Sequence, residues 1–338
     1  MTTAAGAVPG PSLPDVQMHL HSPADPCEGV VVSTRRCTLG SSRAGDASGR
    51  GADKSSGFVR HVAIDVSGTK LAGNFRAGQS FGVLPPGFDD RGQSHKLRLY
   101  SIASPTRGED GKGAVLATTV KRLIDEHHET HRLFTGVASN YLCDLKEGDK
   151  VRLTGPAGKR FLLPADTEAY DYAFFATGTG VAPFRGMLMD LLTDPARQPS
   201  RSRIVLVMGA AYRTDLLYHH ELEDLARRFP NFTYLPTLSR ERQEDGAPAM
   251  YAQDRLNPDT AAGRALLTTL DSSRGLVYVC GIAGMELGIF RALRTALGTE
   301  AVAPYLGLEP DAGPPEGWDR KMIHKQVRPT RRVFLEVY

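Results

Sequence analysis

Tyr172-Ala-Phe-Phe-Ala-Thr-Gly-Thr-Gly-Val-Ala-Pro183 decides the fold. Its first five residues are a continuous apolar run, the pattern of a strand buried on both faces. The glycines at 178 and 180 make a tight turn, and Pro183 suits the first turn of the helix predicted to run from Val181 to about Leu192. Beyond that point the alternation continues. Strands are predicted over 204–208, 232–238, 276–280 and 333–337, and helices over 219–228, 261–270 and 285–297. Strand–helix alternation of this kind builds a doubly wound parallel sheet.

Upstream the texture differs. Residues 61–66, 79–84, 112–120 and 151–154 read as short β segments closed by Gly and Pro turns such as Pro85-Pro86-Gly87 and Gly155-Pro156. Many short strands between such turns predict an antiparallel barrel or sandwich. The expected fold class is therefore β followed by α/β, with a β-barrel domain over 27–164 and an α/β domain over 165–338. Residues 1–26, with five prolines and no basic or apolar leader pattern, are expected to be a flexible arm rather than a secretory signal. The Gly-, Ser- and Ala-rich stretch 40–57 reads as a long exposed loop.

Composition narrows the function. The 338 residues give room for two domains of ~150 each. A net charge of +3 is too small a bias to indicate nucleic acid. No run approaches the ~20 apolar residues of a membrane helix, so no span is expected. Cysteines at 27, 37, 143 and 280 include no Cys-x-x-Cys, which excludes a clustered iron–sulfur motif and a zinc ribbon. Four scattered thiols suggest a reduced, cytoplasmic location. His127, His128 and His131 sit among acids and read as a solvated loop, so no metal is expected.

Several positions can carry chemistry. Glycines in Thr177-Gly-Thr-Gly180, at the carboxyl end of a strand, let a phosphate reach helix amides, although any tight strand-to-helix turn favours glycine. In Arg98-Leu-Tyr-Ser101, an arginine can pair with a pyrophosphate, a tyrosine can stack on a planar ring and a serine can bond a ring nitrogen. A plain strand with an exposed arginine fits the same four residues. Cys280-Gly281 follows the last central strand, again where open sheets bind ligands. Glu336 and Tyr338 end a further apolar strand.

Taken in order, the motifs resemble the plant-type ferredoxin–NADP(+) reductases from about Cys27 to Tyr338. They include Gly78-Gln-Ser-Phe-Gly-Val-Leu-Pro-Pro-Gly87, Arg98-Leu-Tyr-Ser101, Val120-Lys-Arg-Leu123 and Gly136-Val-Ala-Ser-Asn-Tyr-Leu-Cys-Asp144. Ala176-Thr-Gly-Thr-Gly-Val-Ala-Pro-Phe184, Leu238-Ser-Arg-Glu241, Val279-Cys-Gly281 and Glu336-Val-Tyr338 complete the set. The resemblance implies an FAD-binding barrel and an NADP(H)-binding domain, with hydride exchange on the nicotinamide side and single-electron exchange with an acidic carrier, ferredoxin or flavodoxin. It implies that Arg98, Leu99, Tyr100 and Ser101 hold the flavin. Thr119, Val120, Lys121, Val137, Ala138 and Ser139 would line its diphosphate and adenosine side. Thr179 would lie near both cofactors, and Gly281 would be a further cofactor-binding residue. Tyr338 would cover the flavin face that nicotinamide needs, and Ser101, Cys280, Glu336 and Tyr338 would surround the hydride transfer. Ser239, Arg240 and Tyr251 would take the adenosine 2′-phosphate.

Three departures stand out. Ala249 replaces a basic residue expected near the 2′-phosphate, which relaxes the NADP preference unless Arg242 or Arg255 substitutes. The aromatic expected after Lys-Arg-Leu, to stack on the flavin adenine, is missing at Ile124-Asp125, so FAD is held more loosely or its adenine lies differently. Ala138 replaces a cysteine, a mild change. Six Lys/Arg and no acid between Arg320 and Arg332 suggest a basic collar for the carrier, extended by Arg35, Arg36 and Lys96, or a solvated insertion. The stretch 307–318 reads as an inserted loop. The competing functions are a reductase component feeding a separate oxygenase and a non-catalytic flavin- or nucleotide-binding module.

Overall fold

The computed structural model describes residues 10–38, 57–126 and 129–338. The expected loop at 40–57, apart from Gly57, and the histidines at 127 and 128 lie outside the described residues.

The first domain is an antiparallel sheet curled toward a barrel. It contains β1 (Cys27–Arg36), β2 (Val59–Asp65), β3 (Ser80–Leu84), β4 (Arg98–Ser101) and β5 (Val115–Lys121). A hairpin of β6 (Ile124–Glu126) and β7 (Leu133–Thr135), then α1 (Val137–Asp144), precede β8 (Lys150–Ala157). The sheet order is β4-β3-β8-β1-β2-β5, and a bridge from Ile102 to Thr118 brings its two edges together. Alternation drives this: Cys27, Gly29 and Val31 of β1 point inward while Glu28, Val30 and Val32 face water. Val62, Ile64, Phe81, Leu116 and Leu153 fill the barrel, capped by Leu142 of α1.

The second domain is a five-stranded parallel sheet. Its strands are β9 (Asp171–Thr177), β10 (Ile204–Ala210), β11 (Phe232–Leu238) and β12 (Gly275–Gly281), followed by a β13 (Leu306–Leu308) and β14 (Val327–Pro329) ladder and then β15 (Val333–Val337). Helices α2 (Val181–Leu192), α3 (His219–Arg228), α4 (Ala261–Leu270) and α5 (Met285–Val302) cover its faces. The order β11-β10-β9-β12-β15 reverses direction between β9 and β12, whose carboxyl ends form the ligand crevice of such sheets. The stretch expected as an inserted loop packs down on this sheet, with the Trp318 side chain fully buried against the core that contains Phe290 and Val279.

The two domains share a core. Phe161, leaving the barrel, meets Tyr278 and Phe184 at ring-centroid distances of 5.5 and 5.7 Å. Around that contact lies a buried polar seam. Arg185 of α2 donates to Glu109 at 2.5 Å and to the Ala103 carbonyl at 3.0 Å, and pairs with Glu221 of α3 at 2.9 Å. The Tyr218 hydroxyl reaches His61 Nδ1 at 2.8 Å and Thr119 Oγ1 at 2.5 Å. Residues 10–26, within the stretch expected as a flexible arm, run along this body. His19 and His21 donate backbone N–H groups to Pro156 and Gly155, and the Ser12 carbonyl accepts from Ala165.

Asp190 of α2 joins the seam, its carboxylate accepting from the Thr106 N–H at 2.8 Å and hydroxyl at 2.6 Å. Burial pushes its pKa up to about 6 in spite of those bonds. Raised in the folded state, it contributes stability that is complete below about pH 4, the ordinary carboxylate value, and is lost as pH rises through about 6. Asp190→Asn keeps an acceptor for the Thr106 N–H and removes the titration, while the Thr106 hydroxyl must turn to accept from the new amide. Melting temperatures measured from pH 4 to 7 should show the native protein losing stability relative to this variant as pH rises; parallel curves would acquit Asp190.

Candidate functional site

A cavity of about 1040 Å3 lies along β4 at the junction of the domains. From β4 come Arg98, Leu99, Tyr100 and Ser101, and from β5 come Thr119, Val120 and Lys121. Val137, Ala138 and Ser139 line it from the first turn of α1. The second domain contributes Thr179, Glu336 and Tyr338. Every one of these thirteen residues was singled out in the sequence, and the fold gathers them in one wall.

The register explains how. β3 and β4 pair Ser80 with Ser101 and Phe81 with Tyr100, so Ser80 and Ser101 lie side by side. Parallel pairing of β12 with β15 sets Cys280 beside Glu336. The Glu336 carboxylate accepts from the Ser80 hydroxyl at 3.2 Å, and Ser101 also bonds to it. Burial raises its pKa, and the two serines hold it back without offsetting the burial. Burial likewise pushes the Tyr100 phenol up to about 12, so it stays neutral.

Tyr338 closes this end of the cavity. Its hydroxyl and the Thr179 hydroxyl are 2.6 Å apart, while 59% of the residue remains exposed. Its N–H donates to the Gly281 carbonyl at 3.0 Å, and its own carbonyl accepts from Ala283 at 2.9 Å. Gly180 has to be glycine: a Cβ there would lie 2.1 Å from the Cys280 carbonyl oxygen, so the Thr-Gly-Thr-Gly turn and β12 meet at backbone contact.

Cys280 and Gly281 are buried and do not line the cavity. Burial and the neighbouring Glu336 raise the Cys280 thiol well above its usual range. Ser239, Arg240 and Tyr251 form a second place, at the carboxyl ends of β10 and β11. Backbone bonds from Ser239 to Ala210, Arg240 to Ala211 and Met250 to Leu238 draw them together. Arg240 is exposed with its guanidinium 6.0 Å from the Tyr212 ring centre, and Tyr251 is 64% exposed. Arg255 turns inward to the Pro236 carbonyl at 2.7 Å, whereas Arg242 stays exposed on the Gly246 carbonyl.

The cavity also holds residues to which sequence reasoning gave no site role, among them Ser80 and Phe134. Ser80 acquires its role only through the β3–β4 register, and Phe134 only through the β6–β7 hairpin. Half of the cations expected to form a basic collar are committed to partners within the chain, while Lys321, Lys325 and Arg331 stay exposed. Arg320 pairs with Glu286, Arg328 with Glu309, and Arg332 is buried on the Gly275 carbonyl. Arg35 pairs with Glu221 in the interdomain seam and Arg36 packs over Phe58, so of the proposed extension only Lys96 borders the cavity. Among the described residues no group of acids, cysteines and histidines could hold a metal ion, and no helix is long and apolar enough to cross a membrane.

Residues 174–289 match the oxidoreductase NAD-binding domain family. A ferredoxin–NADP reductase of Spirulina sp is 36% identical over 286 residues, covering 84% of this chain and 91% of that protein. The chain belongs to the ferredoxin–NADP reductase family. The chloroplastic leaf isozyme 1 of Arabidopsis thaliana is 35% identical over 272 residues, 78% of this chain and 71% of the isozyme. The fold matches the solved ferredoxin–NADP+ reductase of Plasmodium falciparum with a TM-score of 0.66 at 21% identity, over 95% of this chain and 99% of that one. This ferredoxin–NADP reductase family member is thus an oxidoreductase, with the barrel and parallel-sheet architecture read from its strands.

The cover over Cys280 can be tested chemically. A buried, high-pKa thiol is a poor nucleophile, so iodoacetamide at pH 8 should leave Cys280 unmodified. Tyr338→Ser should make Cys280 labelling several-fold faster, read by peptide mass spectrometry. An unchanged rate would place the barrier elsewhere.

Proposed function

We propose that this protein is an FAD-dependent ferredoxin– or flavodoxin–NADP(+) reductase, working in the cytoplasm with an acidic one-electron carrier. The observation that carries the proposal is a single cavity walled by both domains, in which Glu336 of the α/β domain bonds Ser80 of the barrel. The relatives favour this over an oxygenase-feeding reductase or a non-catalytic module.

The cavity suits a flavin dinucleotide. Its volume is at the upper end of the ~300–1,000 Å3 of ordinary ligand pockets. Arg98 and Lys121 supply cations, and α1 begins at Gly136 with no side-chain cap, which leaves the first amides of the helix for a diphosphate. Bound FAD supplies the exchange of a hydride with NADP(H) and of single electrons with the carrier. The chain's residues hold the reacting groups. Arg98, Lys121 and the amides of Val137, Ala138 and Ser139 bind the diphosphate. Tyr100 and Ser101 orient the ring system. Glu336, steadied by Ser80 and Ser101, holds its proton more firmly than a free carboxyl and orients its neighbours. Tyr338 occupies the nicotinamide position until it swings off Thr179, opening the way to Cys280. Much of the rate enhancement then comes from positioning.

NADP(H) docks on the second domain, its 2′-phosphate on Ser239 and Arg240 beside Tyr251. With Ala249 apolar and Arg255 committed to Pro236, Arg242 is the one substitute still facing water. Preference for NADPH over NADH therefore depends on Arg240, with Arg242 the one cation left to assist it.

Anaerobic titration of the flavin absorbance with NADPH and with NADH tests the reading. Arg240→Ala should weaken NADPH at least about tenfold, from the ~1.5–3 kcal/mol of a charge-assisted bond, and leave NADH nearly unchanged. Equal losses would refute the 2′-phosphate assignment. In the same assay, Tyr338→Ser should tighten nicotinamide binding, because a competing ring has been removed. A protein that takes up no flavin would overturn the reductase reading itself.

A further inference from the structure

We propose that Phe134, on the β6–β7 hairpin, is the aromatic platform on which the purine ring at the far end of the dinucleotide stacks, and that this contact makes the site select FAD over FMN. The proposal rests on the flavin reading of the cavity. Strand register orders the cavity walls. The antiparallel bridge from Ile102 to Thr118 sets Ser101 alongside Thr119, so from that point β4 runs back toward Arg98 as β5 runs forward to Lys121. The end marked by Ser101, Glu336 and Tyr338 is therefore followed by Tyr100, then by the cations Arg98 and Lys121. The chain leaving β5 passes through Leu123 into the hairpin, and the Gly136 N–H returns to the Leu123 carbonyl at 2.9 Å. Leu123, Phe134 and Val137 thus form the last wall, beyond the cations.

That wall is apolar and exposed. Leu123 is 42% exposed, Phe134 51% and Val137 47%. Its sequence of polar ring site, cationic middle and apolar aromatic end matches a molecule with two flat rings joined by a diphosphate. A flavin mononucleotide, which stops at its phosphate, would leave the Phe134 end empty. Phe134 pairs directly with Asp125 across the hairpin, so the two side chains share one face of the ladder. An aromatic at 134 therefore serves the face that Asp125 leaves without a ring.

The test compares both flavins on the full-length protein. FAD dissociation from the holoprotein, and FMN rebinding after flavin removal, are followed by flavin fluorescence. Phe134→Ala should weaken FAD by about 5- to 150-fold, the range of a ~1–3 kcal/mol base–aromatic stack, and leave FMN within about twofold. Phe134→Tyr should restore FAD binding. Loss of both flavins to the same degree would make Phe134 a structural residue of the hairpin and overturn the proposal, as would unchanged FAD affinity. Absence of any flavin binding by the unmutated chain would instead sink the reading of the cavity on which this rests.

Discussion

Arg185 places a guanidinium, 7% exposed, between the barrel and the α/β domain, with Glu109 on one side and Glu221 on the other. A buried charge holds only with its partners, and removing one costs about 3–5 kcal/mol. The site depends on that arrangement. Ser80 and Ser101 belong to one domain, Glu336 and Tyr338 to the other, and the 3.2 Å bond from Ser80 to Glu336 survives only a very small relative shift. Beside Arg185, burial and two arginines press the His61 pKa down to about 2. The imidazole is then neutral at any working pH, and it meets Tyr218 as a hydrogen-bonding group rather than a charge. Thr119, which bonds the same phenol, also lines the cavity, so the seam and the site share a residue.

The α/β half was legible because its signals are local. A parallel strand buried on both faces is a run of apolar residues, and an amphipathic helix repeats every 3.6. Hence the α2, α3, α4, β11 and β15 boundaries expected from the sequence coincide with those observed. The barrel was less legible. β1 contains Glu28, Ser33 and a run of exposed residues, and α1 is a two-turn helix without a side-chain cap, so neither announces itself. The site divides in the same way. Residues inside contiguous motifs, from Arg98 to Ser101 or at Thr179, could be named in advance. Ser80, although inside the motif Gly78–Gly87, and Phe134 take their roles from the strand that lies opposite, a fact that pairing creates and no single segment contains.

Charge was the least readable property. A segment with six cations and no acid looks directional, yet two of the six meet acids from elsewhere in the chain: Arg320 pairs with Glu286 and Arg328 with Glu309. Direction matters too. Arg332 bonds Gly275 at the amino end of β12, whereas the cavity lies at the carboxyl ends. A strand of five residues separates them by about 15 Å, beyond a Debye length at physiological salt, ~8 Å. Arg98, Lys96 and Lys121 are the cations that an approaching anion meets at the cavity itself.

The N-terminal strap has a consequence for how this molecule is made. Gly10 lies so close to Arg331 that a Cβ on the glycine would be 2.2 Å from the arginine Cβ, and Leu13 packs on the core shared by both domains. Residues 10–13 thus find their seat only after the last strand of the parallel sheet has formed. Contacts of such wide sequence separation close late, because the loop entropy is lost before any of them forms. The barrel and the sheet can each assemble with the strap still loose, and its closure then records that both domains are complete and correctly docked.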